Sequence, residues 1–255
     1  MLADKENHNT SIKTLEAQKE GINYRLEYAP VGNNIQEPTV IICGITPGNG
    51  TWRMFLNAIR SRVLFEKAAR ESIYSNMREN LFKCLDEIDL FNYLADINEY
   101  WDRAQKEKNN KDYWYKLFND EIASEVCGIQ LTQACNCAIL RDNDSQQPSR
   151  TALNEIREGE PGCLFNRFQI SSSLKLIIFL GTTLNLEEYW EESCYFNSNV
   201  RLISIPHPSG SNRVFNNGDL FKPLSENDNT QLINAKNLLK KAKQTINDLK
   251  NETVL

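Results

Sequence analysis

The sequence predicts an α/β fold, a three-layer α/β/α sandwich around a central four-stranded parallel sheet, and three observations carry that expectation. Four short runs rich in β-branched and large apolar residues stand at 39–43, 129–134, 174–180 and 200–205, the first and third nearly continuous in apolar character rather than alternating. Strands of that composition are buried on both faces, as in a parallel sheet covered by helices. Helical spacing fills the stretches between them, and strands joined through helices run parallel. Finally, two loops of restricted backbone, residues 44–51 and 206–213, follow the first and last runs. They are thereby placed at the carboxyl edge of the sheet, where ligands of open α/β folds collect.

In chain order, residues 1–20 are polar from Asp4 to Glu20 and are expected to be flexible. After the first strand, residues 53–126 form a long helical insertion, more than one crossover needs. Leu81, Cys84, Leu85 and Ile88, then Tyr113, Leu117 and Phe118, recur at helical spacing, with a charged break at 106–112 expected as an exposed turn. Residues 229–250 close the chain with a C-terminal helix. Its apolar stripe of Leu232, Ala235, Leu238, Leu239, Ala242, Ile246 and Leu249 is expected to dock on the sheet. No internal repeat divides the chain, so residues 1–255 are expected to form a single domain.

Composition narrows the function classes. The 255 residues are 40% hydrophobic and 25% charged, ordinary for a globular protein. No apolar run reaches the length of a membrane span, and the first thirty residues hold no apolar signal core, so a cytoplasmic protein without membrane contact is expected. Seven cysteines, without a C-x-x-C pair or a histidine cluster, read as reduced thiols; no metal, iron–sulfur cluster or other cofactor is expected. A net charge of −5 gives no long-range attraction to nucleic acid, so any DNA contact rests on a local basic patch. Arg53, Arg60 and Arg62 on the first helix offer one, or form a solvated face.

In the first loop, Gly44, Gly48 and Gly50 permit tight backbone geometry, Pro47 stiffens the turn and Thr51 is placed to cap the next helix. Backbone N–H groups in such a loop suit a phosphate or a pyrimidine carbonyl oxygen, although an ordinary strand-to-helix turn has the same composition. The Gly-Lys-Ser/Thr ending of a phosphate-binding P-loop is absent. In the second loop His207, one of two histidines, stands between Pro206 and Pro208 and is followed by Ser209, Gly210, Ser211, Asn212 and Arg213. Two prolines restrict where its imidazole points. A rigidly aimed neutral imidazole donates to negative charge developing on a leaving group. A surface turn with an incidental histidine is the plain alternative.

Together the loops resemble those of the uracil-DNA glycosylase superfamily. Gly44-Ile45-Thr46-Pro47-Gly48 is similar to its first motif, Gly-x-Asp/Asn-Pro followed by Tyr or Gly. His207-Pro208-Ser209, running on to Arg213, is similar to its second, His/Asn-Pro-Ser followed by Arg, with spacing near the mismatch-specific branch. The strand at 174–180 followed by Gly181, and residues 131–137 around Gln133, resemble further segments, the latter near the thermophile-type branch. There Cys137 and Cys163 fall on two cluster-ligand positions, but the N-terminal pair has no counterpart, so the cluster is expected to be absent. The resemblance spans about residues 38–51 and 129–213.

What it implies is a monofunctional DNA glycosylase. Such an enzyme hydrolyses the N-glycosidic bond of a flipped-out pyrimidine in double- or single-stranded DNA and leaves an abasic site. The base is uracil or a modified pyrimidine; hypermodified cytosine of phage DNA, and hence antiphage defence, is an extension of the same reading. His207 takes the role of stabilising the departing base. Ile45, Pro47 and Gly48 line the base, Gln133 or Asn136 reads its pairing edge, and residues 209–213 contact DNA. Thr46 stands where many relatives carry the Asp or Asn that handles water, which leaves the Thr46 hydroxyl, Asn49 or backbone carbonyls for that task. Ser211 and Asn212 are small where relatives carry a bulky wedge. A catalytically inactive nucleic-acid or protein-binding module on the same fold is the alternative. Tyr113, Trp114, Tyr115 and Phe118, with Tyr100 and Trp101, either stack on bases or belong to the core.

Overall fold

A computed structural model of the chain describes residues 14–19, 22–29, 31–33, 35–106, 127–135, 137–141, 144–146, 172–182, 186–187, 199–209, 212–215 and 219–253. The four apolar runs are the strands β3 (Val40–Gly44), β4 (Ile129–Gln133), β7 (Leu176–Leu180) and β8 (Arg201–Ile205). They form one sheet in the order β4-β3-β7-β8, parallel throughout, so the chain has the expected α/β fold. β3 comes first in sequence but lies inside the sheet. From it the chain steps outward to β4, then returns past β3 to β7 and β8. The direction of winding therefore reverses between β3 and β7, the position at which open α/β sheets form a ligand crevice.

Side chains alternate across this sheet. Val40, Ile42, Ile129, Leu131, Leu176, Ile178, Leu180, Ile203 and Ile205 face the larger core. That core is completed by α1 (Asn49–Arg60), α2 (Phe65–Ser72), α3 (Arg78–Glu87), α4 (Leu90–Ile97), α5 (Glu99–Lys106) and α6 (Thr230–Thr253). Ile41, Cys43, Ile177 and Phe179 point the other way, into a second buried cluster with Leu174, Leu186 and Val200. Burial on both faces is why β3 and β7 read as unbroken apolar runs, whereas β4 carries Gln130, Thr132 and Gln133 and β8 carries Arg201 and Ser204. Each fully buried Val, Leu, Ile or Phe contributes about 1.5–3 kcal/mol.

Helix α1 carries Trp52, Phe55, Leu56 and Ile59 on one side, the i, i+3, i+4, i+7 pattern, and turns them to the core. It ends in a Schellman turn: Val63 N–H bonds to the Ala58 carbonyl and Arg62 N–H to the Ile59 carbonyl, with Arg62 at φ 60°. α6 starts at Asn229, whose Oδ1 accepts the Leu232 N–H, and it buries Leu232, Ala235, Leu239, Ala242, Ile246 and Leu249 as the periodicity predicts. Lys250 of this helix reaches Asp89 at the start of α4. Lys236 is buried against Asp228, clamping the preceding turn onto the helix.

A second, antiparallel sheet is not evident in the sequence. It has the order β1-β2-β5-β6 from β1 (Thr14–Lys19), β2 (Ile22–Tyr28), β5 (Cys137–Arg141) and β6 (Asp144–Gln146). Thr14–Lys19, inside the segment expected to be flexible, is thus an ordered strand held by a six-residue register with β2; residues 1–13 lie outside the described residues. Following β2, the chain runs beside the free edge of β4. Asn33 there imitates a strand residue: its Nδ2 donates to the Ile129 carbonyl, its Oδ1 accepts the Leu131 N–H, and its own N–H bonds to the Leu131 carbonyl. The edge is closed by a side-chain amide.

The helical insertion is observed as α1–α5 up to Lys106; residues 107–126, with the turn and the cluster around Trp114 expected there, lie outside the described residues. Trp101 proves to be core, its Nε1 donating to the Cys127 carbonyl at 2.7 Å and its ring packed on Phe91 and Tyr100. No helix among the described residues is long and apolar enough to cross a membrane.

Candidate active site

Two glycines lie at the carboxyl edge of the inner strands, one at the end of β3 and one just past β7, and a side chain from the neighbouring outer strand packs against each. A Cβ built on Gly44 would stand 2.3 Å from Gln133 Oε1 and 3.0 Å from the Tyr74 hydroxyl, so only glycine leaves room for the Gln133 amide. Gly181, at φ +87°, adopts a backbone conformation that suits glycine, and a Cβ there would meet His207 Cβ at 3.3 Å. Cys43 is in register with Phe179, which sets Gly181 one residue past the level of Gly44 on the neighbouring strand. Strand axes are about 4.8 Å apart. Gln133 from β4 thus packs over Gly44, and His207, just past β8, against Gly181.

Gln133 is buried, and its Oε1 has no hydrogen-bond partner. An orphaned amide oxygen costs about 1–3 kcal/mol; this one is sealed from solvent, so a ligand donor would reach it only with movement of the side chains around it. Beside it, Tyr74 occupies a place normally held by backbone. The Gly44 N–H donates to the Tyr74 hydroxyl at 2.6 Å, and that hydroxyl donates to the Thr132 carbonyl. One step further the ladder resumes, with Ala134 N–H to the Gly44 carbonyl and Cys135 N–H to the Ile45 carbonyl. Burial holds the phenol well above its ordinary pKa, so it is a neutral donor.

The first loop departs from expectation in two respects. Ile45 continues the alternation of β3, and its side chain is buried in the second core with Cys43, not in the crevice. Thr51 does not cap α1. The helix begins at Asn49 with Gly48 in extended conformation as N-cap, so Thr51 falls inside the first turn and is buried. Thr46 is half-buried and Pro47 buried. A Cβ on Gly48 would meet nothing within 4 Å, so this position faces open space, whereas one on Gly50 would meet the Asn76 amide at 2.7 Å. Asn49 opens α1, and Glu27 lies behind this turn, its oxygens bound to Trp52 Nε1 and Arg25 Nε.

In the second loop His207 is half-buried, and Nδ1 accepts the Ser209 N–H at 3.4 Å. That bond assigns the proton of the neutral ring to Nε2. Burial lowers the pKa of the imidazole, favouring the neutral form. The loop is fastened on both sides: Asn80 Nδ2 of α3 donates to the Pro208 carbonyl at 3.1 Å, and Asn212 Nδ2 to the His207 carbonyl at 3.0 Å. Asn212, expected at the DNA, is committed to holding the loop, and Arg213 is exposed. Ser209 is half-buried; Gly210, Ser211 and Asn136 lie outside the described residues.

Sequence reasoning missed the residues that join the loops. Tyr74, Asn76 and Asn80 lie between α2 and the first turn of α3 and touch Gly44, Gly50 and Pro208 respectively. Nothing in their local spacing marks them, since each acts on a partner remote in sequence. Among the described residues Cys43, Cys84, Cys127 and Cys135 are buried thiols outside any disulfide, and burial raises the pKa of Cys43 strongly and of Cys84 to about 12. Among the described residues no group of His, Cys, Asp and Glu is arranged to hold a metal ion.

The carboxyl edge of the parallel sheet thus carries a half-buried neutral imidazole with its proton on Nε2 and a buried amide oxygen without a partner. Compared with known proteins, the chain matches no family model and no curated protein.

Proposed function

We propose that this chain is a monofunctional DNA glycosylase that releases uracil or a modified pyrimidine from cytoplasmic DNA. The observation that carries the reading is the pair of leaning side chains, Gln133 over Gly44 and His207 over Gly181. A flipped pyrimidine between them presents its N–H or amino group to Gln133 Oε1 and a ring carbonyl to His207 Nε2–H. As the C1′–N1 bond breaks, its electron pair passes to the base and the sugar becomes an oxocarbenium ion. The imidazole N–H stabilises the charge on the base oxygen. Water then adds to C1′ and loses a proton, the base gains one, and an abasic sugar remains. No carboxylate stands at Thr46, and a strongly dissociative transition state needs little base strength; the Thr46 hydroxyl, Asn49 or backbone carbonyls of the first loop would hold the water.

The test is an abasic-site assay with wild type and His207→Ala on parallel DNAs carrying uracil, mismatched thymine, hydroxymethylcytosine or glucosylated cytosine. Alkali-labile cleavage by the wild type, reduced roughly 10²–10³-fold in the variant, is expected. No turnover on any of them, with stoichiometric retention of DNA, would replace the enzyme by a base-binding module.

A further inference from the structure

The corner where α1 meets α2 exposes two kinds of side chain that surfaces usually bury or neutralise. Met54, Leu64 and Phe65 are large apolar residues at 45, 68 and 42% exposure, three of the four such residues identified in the described part of the chain. Arg53, Arg60 and Arg62 surround them, all exposed, and none has a carboxylate within ion-pair distance among the described residues. The lysines of this region differ, for Lys67 is paired with Glu71 and Lys83 with Glu79. Residues 49–83 hold seven basic and three acidic side chains, a net +4 in a chain of −5, so the remainder carries −9. A local basic patch exists despite the overall sign.

Its placement follows from α1. Arg53 and Arg60 are seven residues apart, two turns on one face and about 10 Å along the axis. The helix starts at the first loop, and Met54 Sδ accepts a hydrogen bond from Ser75, the neighbour of Tyr74. The patch thus lies on the helix that begins at the first loop. Arg62 sits in the left-handed position of the Schellman turn, where glycine is accommodated more easily, and Phe65 is fixed edge-on against Phe55.

The geometry points to this corner as the docking surface for an unpaired DNA strand that flanks the reacting nucleotide. The arginines hold its phosphates, and Met54, Leu64 and Phe65 supply the faces on which its bases rest. The partner's identity rests on the glycosylase reading. An unpaired strand is favoured over a duplex exterior because exposed apolar faces match exposed bases, and because Asn212 is tied into its own loop instead of standing free as a wedge. The apolar corner takes the place of that wedge.

The experiment is fluorescence anisotropy of the full chain with labelled single-stranded and duplex oligonucleotides of ordinary bases, over a series of salt concentrations. Two variants are compared: Arg53→Gln/Arg60→Gln/Arg62→Gly, in which glycine suits the positive φ, and Leu64→Ser/Phe65→Ser. Circular dichroism checks their folding. The wild type is expected to prefer the single strand. The arginine variant should lower the slope of log affinity against log salt by about 2, near 0.7 for each lost phosphate contact. The Leu64/Phe65 variant should weaken single-strand binding about tenfold, leaving the slope and duplex binding nearly unchanged. Wild-type affinity in both folded variants would overturn the assignment and leave the glycosylase reading standing. Equal losses on duplex and single strand would overturn the unpaired-strand partner. Capture of phosphatidylserine vesicles through the same residues, without oligonucleotide binding, would overturn it in favour of a lipid surface. Absence of any oligonucleotide binding by the wild type would remove the glycosylase reading and this surface with it.

Discussion

The hydroxyl of Tyr74 stands between the N–H of Gly44 and the carbonyl of Thr132, in the one rung where β3 and β4 would otherwise bond directly. The side chain is buried and its φ is +52°, a conformation uncommon for a bulky residue, so the surroundings over-determine it. Removing the oxygen alone should leave a donor and an acceptor stranded. Tyr74→Phe is therefore expected to destabilise by about 2–4 kcal/mol. In thermal unfolding this is a fall in Tm of roughly 5–12 °C; an unchanged Tm would mean that Gly44 and Thr132 close the rung themselves.

Gln133 offers the opposite experiment. Its Oε1 is already unsatisfied, so Gln133→Met exchanges an orphaned acceptor for an apolar chain of similar length. Stability is expected to hold or to rise by about 1–2 kcal/mol. Base release in the abasic-site assay should fall at least tenfold. A marked loss of stability, read by denaturant unfolding, would make the amide a structural partner instead of a reader of bases.

The three loop glycines separate by what surrounds them. Gly181→Ala should cost about 1–2 kcal/mol for the left-handed backbone and displace His207, lowering turnover more than substrate affinity. Gly48→Ala has no neighbour to strike and an ordinary φ, so only the N-cap preference for glycine over alanine is lost and Tm should fall by no more than about 2–4 °C. If Gly48→Ala nonetheless changes which bases are released, the open space beside it is where the base enters. Gly50→Ala falls between these, since only the Asn76 amide must give way.

The pH dependence of His207 has a definite sign. Burial lowers its pKa below the ordinary histidine value, whereas the unfolded chain takes up the proton near pH 6.5. Above that pH both states are neutral at this residue. As pH falls through 6.5 toward the folded pKa, the unfolded state binds more protons, and stability declines. Single-turnover release should be flat from about pH 7 to 8.5, because the donor is the neutral Nε2–H. A decline with an apparent pKa near 7 would instead require a protonated imidazole. With two histidines in the chain, NMR titration can follow this one directly.

β3 and β7 were legible because burial on both faces leaves an unbroken apolar run, and α6 because its stripe keeps one period from Leu232 to Leu249. Both loops were legible because glycine and proline at fixed offsets limit the backbone. The antiparallel sheet was not. β1 and β2 carry Glu16, Asn23, Arg25 and Glu27 among their apolar residues, a composition that a solvated segment shares, and their pairing with β5 is long-range. Ile45 was read as part of a loop although it continues the alternation Ile41, Cys43, Ile45 into the second core. Tyr74 and Asn80 carried no local signal, since a single side chain reaching a distant backbone group has no period.

Those distant contacts govern the order in which the crevice can be built. Asn80 and Pro208 are separated by 128 positions, Tyr74 and Thr132 by 58, and Tyr74 and Gly44 by 30. Loop-closure entropy must be met before such contacts are rewarded, so they form late and slow the search. During synthesis, Tyr74 and Gly44 emerge long before Pro208. The first loop can then be fastened while the histidine is still inside the ribosome. Activity would thus appear only in the last stage of folding, and a nascent chain would carry no functional crevice.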